Sequence, residues 1–206
     1  MRAIVSVGEV GCSSGDRDWL FRPSLAAMDS LGSPSEIVTK FGILFSAPKL
    51  NPIWPVPAYR AWEREVMATA YDVLMACCDE DVSPLLGHMG SKWGSFVPGA
   101  MPTQDMVHIA RALMRHGIIG LKPEGRLTAK PKEEYVPEFK PREFVAQAIA
   151  HLGLSSAEAW NLTMTEFSGA MQSKFGKPET LPIEEHDEAM SRLAEINKLR
   201  QYQVKK

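Results

Sequence analysis

The chain has no uncharged apolar run near the roughly 18 residues that a bilayer-spanning helix needs. Its best apolar stretches, such as Phe41 to Pro48, are broken by Gly, Lys or Pro. Net charge is also scarce: 23 Lys+Arg stand against 25 Asp+Glu, a balance of −2 with the histidines neutral. A chain so close to neutrality lacks the positive excess that sequence-independent binding to phosphate backbones requires, so no nucleic-acid partner and no membrane is expected. Cysteine is sparse, with Cys12, Cys77 and Cys78 odd in number and two of them adjacent. Neighbouring cysteines do not easily bridge in regular structure, and a reducing cytoplasm is the expected setting. The N-terminal MRAIVSVGEVG lacks the unbroken apolar segment of a secretory signal.

Chemical motifs are equally thin. No glycine-rich loop leads into Lys-Ser/Thr, so no phosphate cradle is expected, and Gly11 to Gly15 reads as a hairpin turn. Zinc sites need paired Cys or His ligands at workable spacing, whereas Cys77 and Cys78 point about 100° apart on a helix with only His88 near in sequence. His108 and His116 are too far apart along one helix to share a metal. Arg111 and Arg115 on that helix read as a solvated face. Carboxylate pairs such as Glu133-Glu134 and Glu184-Glu185 sit where nothing would raise their pKa, and no Ser-His-Asp or Cys-His set has a supporting motif. The expectation is a protein without cofactor, metal or catalytic residues, and not an enzyme.

With hydrophobic residues at 45% and charged ones at 23%, there is ample material for a core. Alternation over Arg2 to Val10 predicts a strand, and Asp18 to Arg22 a second, paired with it as a hairpin. Pro23-Ser24 opens a short helix that Gly32 stops. Ser33, Pro34 and Glu36 then give a capping box and a first-turn proline for the next. Prolines 48, 52, 55 and 57 interrupt regular structure. Tyr59, Trp62, Val66, Ala70, Val73 and Cys77 recur at three and four residues, predicting one long helix over 58–78 with Cys77 in the core. Gly87 to Gly99 reads as a glycine-rich ordered loop, and Thr103 caps a helix with Met106, Ala110 and Leu113 on one face, ended at Gly117.

From Lys122 to Glu143 eleven of twenty-two residues are charged and four are proline, the composition of a linker. Beyond it Pro141 opens a helix stopped by Gly153, Ser155 with Glu158 and Thr163 with Glu166 form two more capping boxes, and a last helix is predicted from Pro182. The expected architecture is mainly α with a small N-terminal β-hairpin: an α+β domain over 1–121, a charged proline-rich linker over 122–140, and a C-terminal bundle of short helices over 141–206.

Two stretches resemble a family. His151-Leu152-Gly153-Leu154-Ser155, followed by Glu158-Ala159-Trp160-Asn161-Leu162-Thr163-Met164-Thr165-Glu166-Phe167, is similar to an arrangement in small tailed-phage tail-module proteins, the tail assembly chaperones and their neighbours. Phe21-Arg22-Pro23-Ser24 with Gly32-Ser33-Pro34-Ser35-Glu36-Ile37-Val38 resembles phage and prophage proteins of the same size. The resemblance implies a protein that binds the tape measure protein or tail tube subunits during tail morphogenesis. Apolar residues on the short C-terminal helices, Trp160, Met164, Phe167 and Met171, with Met190, Leu193 and Ile196 on the last, are the expected partner contacts. The alternative is a small helix-turn-helix regulator. Against it, Ser155 to Gln172 carries Glu158 and Glu166 but no Lys or Arg.

Overall fold

The computed structural model describes residues 3–46, 56–89, 96–120 and 138–175. The chain divides into a compact unit, Met1–Met171, and a second, Gln172–Lys206. The fold is mainly α with a small N-terminal two-stranded antiparallel hairpin, in the order β1 (Val10–Ser14), β2 (Arg17–Phe21), α1 (Leu25–Ser30), α2 (Pro34–Phe45), α3 (Val56–Ala76), α4 (Ser83–Leu86), β3 (Gly87–Met89), β4 (Phe96–Pro98), α5 (Thr103–Met114), α6 (Pro141–Gln147), α7 (Ser156–Asn161) and α8 (Met164–Phe175).

The hairpin forms where expected, but its first strand lies further along the chain. Val5–Val7 is a 3-10 turn closed by Gly8 at φ 95°, and β1 begins only at Val10. Pairing of Ser14 with Arg17 leaves a two-residue Gly15-Asp16 turn with a positive φ only at Gly15, the pattern of a type II′ turn. That turn sets the register. It places Val10 and Cys12 opposite Phe21 and Trp19, whose side chains are buried, so the hairpin lays one face on the helices.

Helix starts follow local chemistry. The Ser24 hydroxyl accepts from Ala27 N–H at 3.1 Å to open α1. At α2 the Glu36 carboxylate receives both the Ser33 N–H and its hydroxyl at 2.7 Å, and Pro34 fills the first turn. The long α3 buries Val66, Ala70 and Val73 along the expected stripe, Cys77 continues it just past the helix end, and α3 packs beside α5, which contributes Met106, Ala110, Leu113 and Met114. The six-residue α1 is the meeting point: it touches α2, α3, α6 and α7, with Leu25 and Met28 wholly buried.

Three further differences from the sequence reading have physical causes. The ends of the glycine-rich 87–99 stretch pair as β3 and β4, held by Met101 N–H donating to Leu85 O at 2.8 Å. Thr103 is the first helical residue of α5 rather than its cap, which is Pro102. The helix also runs through Gly117 in a π turn, Arg115–Ile119, and stops at Gly120. Gly117 is not a stop because it is buried against Met28, whose sulfur would collide with any Cβ there. A second π turn, Ala148–Leu152, extends α6 to the predicted stop at Gly153, which takes φ 72°.

Residues 138–171, the end of the expected linker and the start of the C-terminal bundle expected over 141–206, pack in the same compact unit as the N-terminal elements. Phe139 is buried and its N–H donates to Pro34 O at 3.0 Å. Leu25 N–H donates to Leu162 O at 2.8 Å beside an isolated bridge of Ser24 with Thr163. The rest of the expected linker, through Pro137, the proline-rich 47–55 and the helix from Pro182 lie outside the described residues.

A Cβ at Gly99 would land on the backbone of Leu85 and Gly87, which cannot swing aside as a side chain can. Gly99→Ala should therefore cost about 2 kcal/mol by overpacking, read as a lowered urea midpoint at unchanged slope. Gly42→Ala, with open space around the added methyl, should show no such loss.

Candidate protein-contact surface and its clefts

The α7–α8 corner is built by two consecutive capping boxes. Glu158 Oε2 accepts from Ser155 N–H at 2.9 Å, and Glu166 Oε2 accepts from Thr163 N–H at 2.8 Å while Glu166 N–H returns a bond to Thr163 Oγ1 at 3.2 Å. Glu166 also belongs to a wider network. Arg22, just after β2, donates from Nη2 to both Glu166 oxygens at 3.0 and 2.8 Å, from Nε to Asn161 O at 3.1 Å, and from Nη1 to Glu9. Glu9 in turn accepts from Ile4 N–H at 2.8 Å, and Arg22 N–H donates to Cys77 O at 2.7 Å. The Glu9 side chain is 7% exposed, so its charge depends on the guanidinium. One fork thus joins the N-terminal turn, the end of α7 and the first turn of α8, and the backbone N–H of the same residue ties in Cys77, just after α3.

Against this corner packs His116. Its Nδ1 lies 2.9 Å from Thr165 Oγ1, and its ring fills the space left by the missing side chain of Gly8. Burial, and secondarily the neighbouring Arg115, hold the imidazole below its ordinary value.

The expected contact residues divide. Met164 and Phe167 are buried; Phe167 meets the Phe144 ring edge-on at 5.5 Å, and Phe144 stacks on Phe139 at 5.3 Å. Those two side chains are committed to the protein's own core. Trp160 and Met171 are half-buried beside it and keep part of their surface outward. Met190, Leu193 and Ile196 lie outside the described residues.

Arg115 is exposed, as expected of a solvated face, whereas Arg111 is half-buried. Arg111 Nε donates to Leu44 O at 2.6 Å and Arg115 lies 5.5 Å over the Phe45 ring, so both cations close the carbonyl end of α2, where the helix dipole favours positive charge. His108, on the same helix, lines two clefts. One, of about 370 Å3, lies between β1 and α5, with Cys12, Ser13 and Ser14 on one wall, Leu85 and Met101 beneath, and Asp105 and His108 opposite. The other, of about 200 Å3, lies between α3 and α5.

Thiol chemistry is disfavoured at all three cysteines. Burial pushes the Cys77 thiol far up, and burial, with the Asp105 carboxylate and then Cys78, raises Cys12. Cys78 is raised by burial and by the acidic Glu80 and Asp79, against an opposing backbone hydrogen bond at Glu80. Among the described residues no three His, Cys, Asp or Glu side chains converge as metal ligands, and no helix is long and apolar enough to cross a membrane.

Two outcomes are expected of the corner. Arg22→Met should destabilise by about 2–3 kcal/mol, because Glu9 is left buried without its cation; Arg22→Lys should recover less than half, since an ammonium cannot reproduce the fork. Chemical denaturation measures both. His116 sets a pH dependence. Its folded value lies below the ordinary 6.5, so the unfolded chain binds the proton more readily. The contribution is complete above pH 6.5 and is lost as pH falls through the lowered folded value. Between pH 7.5 and 5 the wild-type urea midpoint should drop more steeply than that of His116→Gln. The capping carboxylates Glu36 and Glu158, lowered by their bonds to Ser33 and Ser155, lose their contribution only as pH falls below the ordinary carboxylate value of 4.5.

Comparison with known proteins gives one family. A model described as a family of unknown function (DUF6246) matches residues 21–188, and no curated protein and no solved structure matches the chain. The match begins at the last residue of β2, so Arg22, His116, Thr165 and Glu166 fall inside it while β1 and Glu9 precede it. Since it takes in most of the chain, the protein belongs to the DUF6246 family.

Proposed function

We propose that the protein is a non-enzymatic tail assembly factor of tailed phages or prophages. In the manner of the chaperones it resembles, it binds the tape measure protein or tail tube subunits in the host cytoplasm before the tail polymerises. One observation carries the reading: the two stretches that resemble phage proteins, 21–38 and 151–167, lie against each other. Arg22 bonds to Asn161 O and Glu166, Leu25 to Leu162, and Ser24 bridges Thr163. The two stretches that carry the resemblance are therefore packed together and are not unrelated segments. Trp160 and Met171, half-buried on α7 and α8, are the contacts this surface offers; an aromatic indole and a pliable thioether suit the apolar stripe of a long helical partner. No basic residue from Ser155 to Gln172 favours the DNA-binding alternative.

The test is co-expression with the tape measure protein of the same genome. The full chain should keep that partner in the soluble fraction and co-purify with it. Trp160→Glu combined with Met171→Glu should lower co-purification by roughly tenfold or more, as loss of a hot-spot aromatic does, while circular dichroism and the melting temperature stay near wild type. Equal partner solubility with and without this protein would overturn the reading.

A further inference from the structure

Among the described residues, one edge of β1 has no backbone partner, and it lies beside a cleft. With a two-residue turn, the pairs Ser14–Arg17, Cys12–Trp19 and Val10–Phe21 exchange backbone hydrogen bonds, which turns the N–H and C=O of Gly11 and Ser13 away from β2. Among the described residues, neither has a backbone partner on that outer side. An unpaired strand edge is a template for another extended segment. Natural edges are commonly bulged or guarded by an inward lysine; β1 reads Val-Gly-Cys-Ser-Ser in an unbroken register with β2 and carries neither.

What lies next to the edge decides what it can take. The cleft of about 370 Å3 runs between Cys12–Ser14 and α5 and has Leu85 and Met101 beneath it. Its fixed charge is Asp105, in the first turn of α5, an exposed carboxylate with no ion-pair partner among the described residues. That carboxylate's field reaches the strand, where it adds to burial in raising the Cys12 thiol. We infer that the outer edge of β1 binds an extended peptide segment by strand addition, with an apolar side chain over Leu85 and Met101 and, two residues on, a lysine or arginine against Asp105. Alternate residues of a strand share a face, so one segment can supply both contacts. The site is separate from Trp160 and Met171, and its failure would leave the tail-assembly reading standing, as the reverse would leave this one.

The experiment uses the full-length 15N-labelled chain and three end-capped peptides: Thr-Val-Thr-Lys-Thr, Thr-Val-Thr-Glu-Thr, and the lysine peptide with alternate backbone nitrogens methylated. The lysine peptide should cause saturable shifts at the Gly11 and Ser13 amides and around Leu85 and Met101. It should bind roughly two- to fivefold more tightly than the glutamate peptide, the scale of one exposed ion pair. Methylation should abolish the shifts, because the ladder needs the peptide N–H groups. Asp105→Asn should erase the lysine preference without removing binding. The inference is overturned by no saturable shift at Gly11 and Ser13 at millimolar peptide, by equal binding of the methylated peptide, or by equal affinity for lysine and glutamate peptides. It is also overturned by concentration-dependent self-association that perturbs the same two amides, since the edge would then belong to a second copy.

Discussion

The guanidinium of Arg22 is the constraint from which much of the remaining geometry follows. Segments from four parts of the chain meet there: the N-terminal turn through Glu9, the end of β2, the close of α7 through Asn161 O, and the start of α8 through Glu166; the backbone N–H of the same residue separately holds Cys77 O, just after α3. A planar group with five donors can satisfy a buried carboxylate, a half-exposed carboxylate and a carbonyl together, which an ammonium cannot. With the fork in place, Ser24 is held beside Thr163 and Leu25 beside Leu162, and the short α1 is fixed where four other helices can cover it. A six-residue helix gains little from its own hydrogen bonds. Its neighbours make it permanent.

What was legible in the sequence was the chemistry that acts over three or four residues. Ser33 with Glu36, Ser155 with Glu158 and Thr163 with Glu166 mark helix starts because donor and acceptor lie within one turn, and the stripe from Val66 to Cys77 needs only helical periodicity. The first strand was displaced because alternation from Ala3 to Val7 is as good a strand pattern as that from Val10 to Ser14; the Gly15-Asp16 turn and the positive φ of Gly8 decide between them. Nothing near Arg111 or Arg115 says that the end of α2 will lie against them. Nothing near Arg22 names Glu166, which is 144 residues away.

The candidate contact residues show the same limit in another form. Helical spacing marks Trp160, Met164, Phe167 and Met171 as apolar residues of short helices, but cannot say which side faces inward. The interior side is set by Phe139, near the end of the charged stretch, and Phe144, just after it, which take Phe167 into an aromatic cluster. Apolar character is therefore spent on cohesion at Met164 and Phe167 and remains available at Trp160 and Met171. The clefts flanking His108 are a separate resource, shaped by the hairpin on one side and α3 on the other.

The two π turns have a consequence for the phase of the helices that carry them. A turn of this kind accommodates one residue more than an α turn does, so it retards the side chains on one side of it relative to those on the other by about 100°. In Arg115–Ile119 that offset lets a single short segment present His116 to Gly8 and Thr165 and still bring Gly117 against Met28. In Ala148–Leu152 it carries α6 to the glycine from which the chain turns into α7. The winding number of these helices is thus an inherited coordinate of the fold: residues may be exchanged along α5 and α6, but gaining or losing one would reassign every neighbour downstream.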